Sequence, residues 1–116
     1  MRASVFIVDS QPAARQGLRV EIERAPRLRF CGEARDMRDA LKHFDGKAPE
    51  LVVVEVGLAS GAGVELIKRI RERSPAARIL AWSAQEDSAF AERALRAGAT
   101  GFISKVRLLD TTYTRL

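Results

Sequence analysis

The chain has 116 residues, 20 Lys and Arg against 15 Asp and Glu, and a net charge of +5. That length allows one domain with a sizeable core and no need for disulfide or metal staples. A single cysteine, Cys31, excludes an internal disulfide, and no apolar run is long enough to span a bilayer or to form a secretory h-region, so a cytoplasmic protein without membrane contact is expected. The excess of positive charge raises nucleic-acid binding as a function. However, Arg15, Arg19, Arg24, Lys68, Arg69, Arg71 and Arg73 are interleaved with Glu21, Glu23, Glu65 and Glu72 and carry no aromatic stacking platforms, which favours solvated helix faces.

In chain order, Ser4 to Val8 reads as a short apolar strand that ends in the polar turn Asp9-Ser10-Gln11-Pro12. Ala14, Leu18, Ile22 and Ala25 recur every three to four positions, marking a helix with Pro12 in its first turn, where a missing N–H does no harm; Pro26 closes it. Leu28, Phe30 and Gly32 alternate with arginines and Cys31 as a brief edge strand. Asp36 is the expected N-cap of a second helix buried through Met37, Ala40, Leu41 and Phe44 and ending at Gly46.

Leu51-Val52-Val53-Val54-Glu55-Val56, between Pro49 and Gly57, suits a central parallel strand covered on both faces. A glycine-rich loop follows, and then a third helix with Val64, Leu66, Ile67 and Ile70 inward, stopped at Ser74-Pro75. Arg78 to Ser83 is a fourth strand. Asp87 or Ser88 caps a fourth helix carrying Phe90, Ala91, Ala94 and Leu95, with Gly98 at C′. Gly101 to Lys105 is a fifth strand, and the final helix, about 107–116, is expected to be short or incomplete.

Five alternations of strand and helix with short connections imply an α/β fold, a doubly wound parallel sheet of flavodoxin-like order 2-1-3-4-5 with helices on both faces, occupying residues 1–116 as one domain. In such a sheet Asp9, Glu55, Ser83 and Lys105 all stand at carboxyl ends of strands. The rim they share suits a phosphate or a cation. Glu55 is the misfit of its strand, because a buried carboxylate costs several kcal/mol unless it is paired or hydrated. Cys31 and Trp82 read as packing residues, Trp82 beneath the fourth helix, and His43 as a helix-surface residue. Gly57, Gly61 and Gly63 match neither G-x-G-x-x-G nor a P-loop, which leaves a small nucleotide-binding α/β protein as a second alternative.

The chain resembles the receiver domain of bacterial two-component response regulators, and in particular the subclass that precedes a helix-turn-helix DNA-binding domain. The resemblance is carried by Val5 to Leu18, Pro49 to Leu66, Ala94 to Phe102, and Lys105. It implies that Asp9 and Ser10 stand where adjacent acids bind Mg²⁺, with Gly57 at a third metal position, and that Glu55 stands where an Asp accepts a phosphoryl group. It further implies that Ser83 and Lys105 contact that group and that Phe102 is the switch aromatic.

Two departures matter: Ser10 replaces an acid, and Glu55 is one methylene longer than the usual acceptor. Val106 replaces a proline, so the usual cis peptide after the lysine is not expected. The expectation is an atypical receiver, not an enzyme, with Mg²⁺ weak or absent and no other cofactor. It would signal by protein contact or homodimerisation, with a histidine kinase or another signalling protein as partner. DNA would be reached only through a C-terminal domain outside this sequence. Within the family the alternative is a working phosphoacceptor that uses Glu55 or Asp9 in a relay controlling transcription. The longer carboxylate could also pair with Lys105 and Ser83 and hold the domain in one signalling state.

Overall fold

A computed structural model of the chain describes residues 2–44, 49–58, 61–84 and 88–104. The elements run β1 (Ala3–Val8), α1 (Pro12–Arg24), β2 (Leu28–Ala34), α2 (Met37–His43), β3 (Leu51–Glu55), α3 (Ala62–Arg73), β4 (Arg78–Ser83), α4 (Ser88–Ala97) and β5 (Gly101–Ser104). The strands form one sheet in the order β2-β1-β3-β4-β5, and every pairing is parallel. This is the flavodoxin-like arrangement that the alternating pattern implies. Lys105 and the final helix, like Ala59, Ser60, Asp87 and the end of the second helix near Gly46, lie outside the described residues.

Two apolar layers cover the sheet. On one face Leu18 and Ile22 of α1 pack on Val5, Ile7, Val53 and Trp82. On the other, Ala40 and Phe44 from α2 and its C-cap, Leu66, Ile67 and Ile70 of α3, and Ala94 and Ala97 of α4 pack on Val8, Val52, Val54, Ile79 and Ala81. β3 and β4 contribute alternate residues to each layer, as strand geometry requires. Trp82 therefore lies against the α1 face. The expected place beneath α4 is corrected by strand parity, since Ile79 and Ala81 are the residues of β4 that face α4.

Cys31 also differs from its expected buried role, being exposed. In the β1–β2 register Val5 pairs with Phe30 and Phe6 with Gly32, which leaves Cys31 as the extra residue of a bulge at the sheet edge. Gly32 is required there, because a Cβ would come within 2.8 Å of the Phe6 ring.

Helix ends follow the sequence closely. Asp36 caps α2 by accepting from the Asp39 N–H at 2.8 Å, and Pro12 occupies the first turn of α1. Gly98, with φ at +118°, follows α4 in a conformation that glycine adopts without a Cβ penalty. The consequence for function is that the ends of β1, β3, β4 and β5 open on one rim.

Candidate functional site

Two turns and a pair of strand ends build the rim. After β1 the chain turns at Asp9, Ser10 and Gln11 into α1; after β3 it leaves Glu55 through Val56 and Gly57; and β4 and β5 end side by side, with Ser83 paired to Ser104. Asp9 is fully buried, Glu55 retains 8% exposure, and Ser83 and Ser104 are buried. Four polar side chains are thus gathered at the sheet's carboxyl end. Of the expected site residues, Asp9, Ser10, Glu55, Gly57 and Ser83 all reach this end of the sheet. Phe102 lies in β5, partly buried and packed on the α2–α3–α4 layer.

A polar contact across the rim joins Ser10 to Glu55. The Ser10 N–H donates to Glu55 Oε2 at 3.0 Å, and the Ser10 hydroxyl donates to the same oxygen at 2.9 Å. The other oxygen, Oε1, faces the following loop, since a Cβ built on Gly57 would lie 3.8 Å from it. The longer acid therefore spans from the β1–α1 turn to the β3–α3 loop. Its burial is offset by charge-assisted hydrogen bonds rather than left uncompensated.

Asp9 is set differently. Its Oδ1 accepts from the Gln11 N–H at 2.8 Å, an Asx turn that shapes the entry to α1. Its backbone N–H donates to the Ala34 carbonyl at the end of β2.

Arg15 and Glu33 join this site although nothing local in the sequence marks them. Arg15 Nη1 donates to the Asp9 carbonyl at 2.6 Å, while Nε donates to Glu33 Oε1 at 2.9 Å. The side chain is only 15% exposed, in contrast with the solvated helix face expected of the arginines in α1. Ser104 is a third unmarked member, legible only as a polar residue closing an apolar strand.

For Mg²⁺ the relevant observation is the donor set. The ion demands near-octahedral oxygen ligands at short distance, usually with one or two carboxylates. Asp9, Ser10 and Gly57 offer one carboxylate, from Asp9, a hydroxyl whose proton is directed at Glu55, and the backbone of Gly57. Among the described residues no cluster of three or more His, Cys, Asp or Glu side chains is arranged to hold a metal. Nor is any described helix long and apolar enough to cross a membrane.

With the geometry in place, the chain can be set beside known proteins. The family model described as "Response regulator receiver domain" matches residues 5–113. Fimbriae Z protein of Salmonella typhimurium is 32% identical over 111 residues, which cover 96% of this chain and 53% of that protein. BvgA of Bordetella pertussis, named as a transcription regulator of virulence factors, is 35% identical over 105 residues, covering 90% and 50%. The chain thus spans about half the length of the curated relatives it matches. Among solved structures, a LuxR-family two-component response regulator from an Aurantimonas species superposes with a TM-score of 0.83 at 36% identity, over 90% of this chain and 75% of that one. A parallel 2-1-3-4-5 sheet, a polar rim at its carboxyl end and a family match over nearly the whole sequence lead to one conclusion: the chain belongs to the response regulator receiver domain family.

Proposed function

We propose that this receiver signals by protein contact in a state set by its own side chains, without taking up a phosphoryl group. The observation that carries this reading is the double hydrogen bond from Ser10 to Glu55 Oε2. Both bonds must break before that oxygen can attack phosphorus. At roughly 1.5 kcal/mol each, the low end for bonds to a charged group, they add about 3 kcal/mol to the barrier for attack through Oε2, on the order of 10²-fold in rate. Displacement of the carboxylate by about one C–C bond from the usual acceptor position costs a further ~10²-fold in an aligned displacement.

The two departures from the family pattern support each other. An acid at position 10 would bring two carboxylates together, a repulsion that a bound cation normally relieves. Serine replaces that repulsion with a donor, so the site is held together without metal. In this reading the residues do not fit a tightly bound Mg²⁺, and no step runs through one. In sequence Ser83 and Lys105 keep the positions of the phosphoryl contacts, and Phe102 keeps the position of the switch aromatic. The partners are a histidine kinase or another signalling protein and a second copy of the chain, with DNA reached through a further domain of the kind its longer relatives have room for.

Incubation with acetyl phosphate and Mg²⁺, followed by intact-mass measurement, tests the proposal. The expected product is unmodified protein. Stoichiometric acyl phosphate on Glu55 or Asp9 would overturn it. A parallel measurement of self-association in Glu55→Gln should show a change, because the substitution removes the charge that Ser10 serves.

A further inference from the structure

The peptide unit between Asp9 and Ser10 is held at both ends by charge. Its carbonyl accepts from the Arg15 guanidinium at 2.6 Å, and its N–H donates to the Glu55 carboxylate at 3.0 Å. Hydrogen bonds in series through one amide polarise each other, since a cation on the oxygen makes the N–H a stronger donor. Arg15 is in turn aimed by Glu33, whose Oε1 accepts from its Nε at 2.9 Å. The planar guanidinium can serve both partners at once because its donors form a fixed fork. A continuous chain therefore runs from Glu33 at the end of β2, through Arg15 and the Asp9–Ser10 amide, to Glu55 at the end of β3.

We infer that Arg15 is a positioning residue of the acceptor site, which fixes and polarises the Asp9–Ser10 amide so that Ser10 can direct its N–H and hydroxyl onto Glu55. The inference rests on reading Glu55 as a hydrogen-bonded acid. It adds a residue from α1, and through Glu33 a residue from β2, to a site otherwise made at strand ends. Charge at the α1–β2 edge then reaches Glu55 without contact. A partner whose acidic side chain competes with Glu33 for Arg15 would weaken the grip on the Ser10 turn.

The test is amide NMR on the ¹⁵N-labelled 116-residue chain, with the Ser10 N–H as reporter and urea unfolding as the measure of stability. In the unsubstituted protein the Ser10 proton should resonate downfield and exchange slowly for an exposed turn. Glu55→Gln should move it upfield. If it does not, the reading of Glu55 fails. Arg15→Gln should also move it upfield and speed exchange on the order of tenfold, the signature of one lost charge-assisted bond. Arg15→Lys, which retains a charge for the Asp9 carbonyl, should restore most of the shift.

A purely structural Arg15 would lower stability in Arg15→Gln and leave the Ser10 resonance in place. That result, with Glu55→Gln behaving as expected, overturns the inference alone. Should Arg15→Gln fail to fold, Glu33→Gln decides. It should produce a smaller upfield shift of the same sign, and an unmoved Ser10 resonance overturns the inference.

Discussion

The backbone carbonyl of Glu55 occupies the space that a Cβ at Gly63 would need. The same Cβ would also come within 2.9 Å of Val56 Cα and of the Val56 carbonyl oxygen, so the first turn of α3 lies directly on the exit from β3. Backbone atoms cannot swing aside as a side-chain tip can. Gly63→Ala must push the helix off the strand end, an overpacking cost of about 3 kcal/mol. Urea unfolding should show that loss, and the chemical shifts of Glu55 and Gly57 should move with it.

The Ser10–Glu55 bond makes a sharper prediction about chemistry. Ser10→Asp alone sets two carboxylates against each other and should destabilise the chain in the absence of Mg²⁺, with the ion restoring part of the loss. Glu55→Asp alone withdraws the carboxylate from Ser10 and should give no efficient phosphorylation, because a ligand acid is still missing. The double variant should acquire Mg²⁺-dependent modification by acetyl phosphate at a rate well above the sum of the singles. Non-additivity is expected of residues that act as one unit. Rates from the three variants that simply add would mean that the two positions are not coupled.

Arg71 ties α3 to α4 on the opposite layer. Its Nη1 donates to the Pro75 and Ala77 carbonyls at 2.7 and 2.6 Å, while Nε and Nη2 donate to the Gly98 carbonyl at 3.0 and 2.7 Å. One guanidinium thus fastens the end of α3, the start of β4 and the end of α4. Lysine offers a single ammonium on a flexible stem and cannot satisfy three carbonyls in this geometry. Arg71→Lys should cost about 2 kcal/mol in urea unfolding, with faster amide exchange at both Ala77 and Gly98. A cost confined to one of those segments would count against the tie.

The sequence made the architecture legible for physical reasons that can be named. The aliphatic run Leu51 to Val54, three of its four residues β-branched, suits a strand buried on both faces, and Pro12, Asp36 and Gly98 punctuate helices in the ways their backbones dictate. For Trp82, period-two alternation alone places Ile79 and Ala81 on one face and Leu80 and Trp82 on the other. Which face α4 covers, however, follows from the crossover, not from the strand. Arg15 was beyond reach. Its partners, the Asp9 carbonyl and Glu33, are brought to it by the β1–β2 pairing, and in linear sequence it is one arginine among many on a charged helix. Glu55 stands out in the sequence as the odd residue of its strand. That Ser10 would be a donor to it depends on a turn geometry that sequence spacing does not specify.

Cys31 gives a prediction in pH. It is the extra residue of the β2 bulge, and partial burial of its thiol pushes it above its ordinary value of 9.0, outweighing the lowering effect of the Arg29 guanidinium. The thiolate is the reactive form, so alkylation by iodoacetamide should be slow at neutral pH and should accelerate at a higher pH in the folded protein than in the chain unfolded in urea. The sign for stability follows from proton binding. Below 9.0 the thiol is protonated in both states and favours neither. As pH rises past that value the unfolded chain loses its proton first, so the folded state loses relative stability until the folded thiol has titrated as well. Arg29→Gln removes the one opposing charge and should raise the alkylation midpoint further. An unmoved midpoint would mean that the Arg29 charge does not reach the thiol.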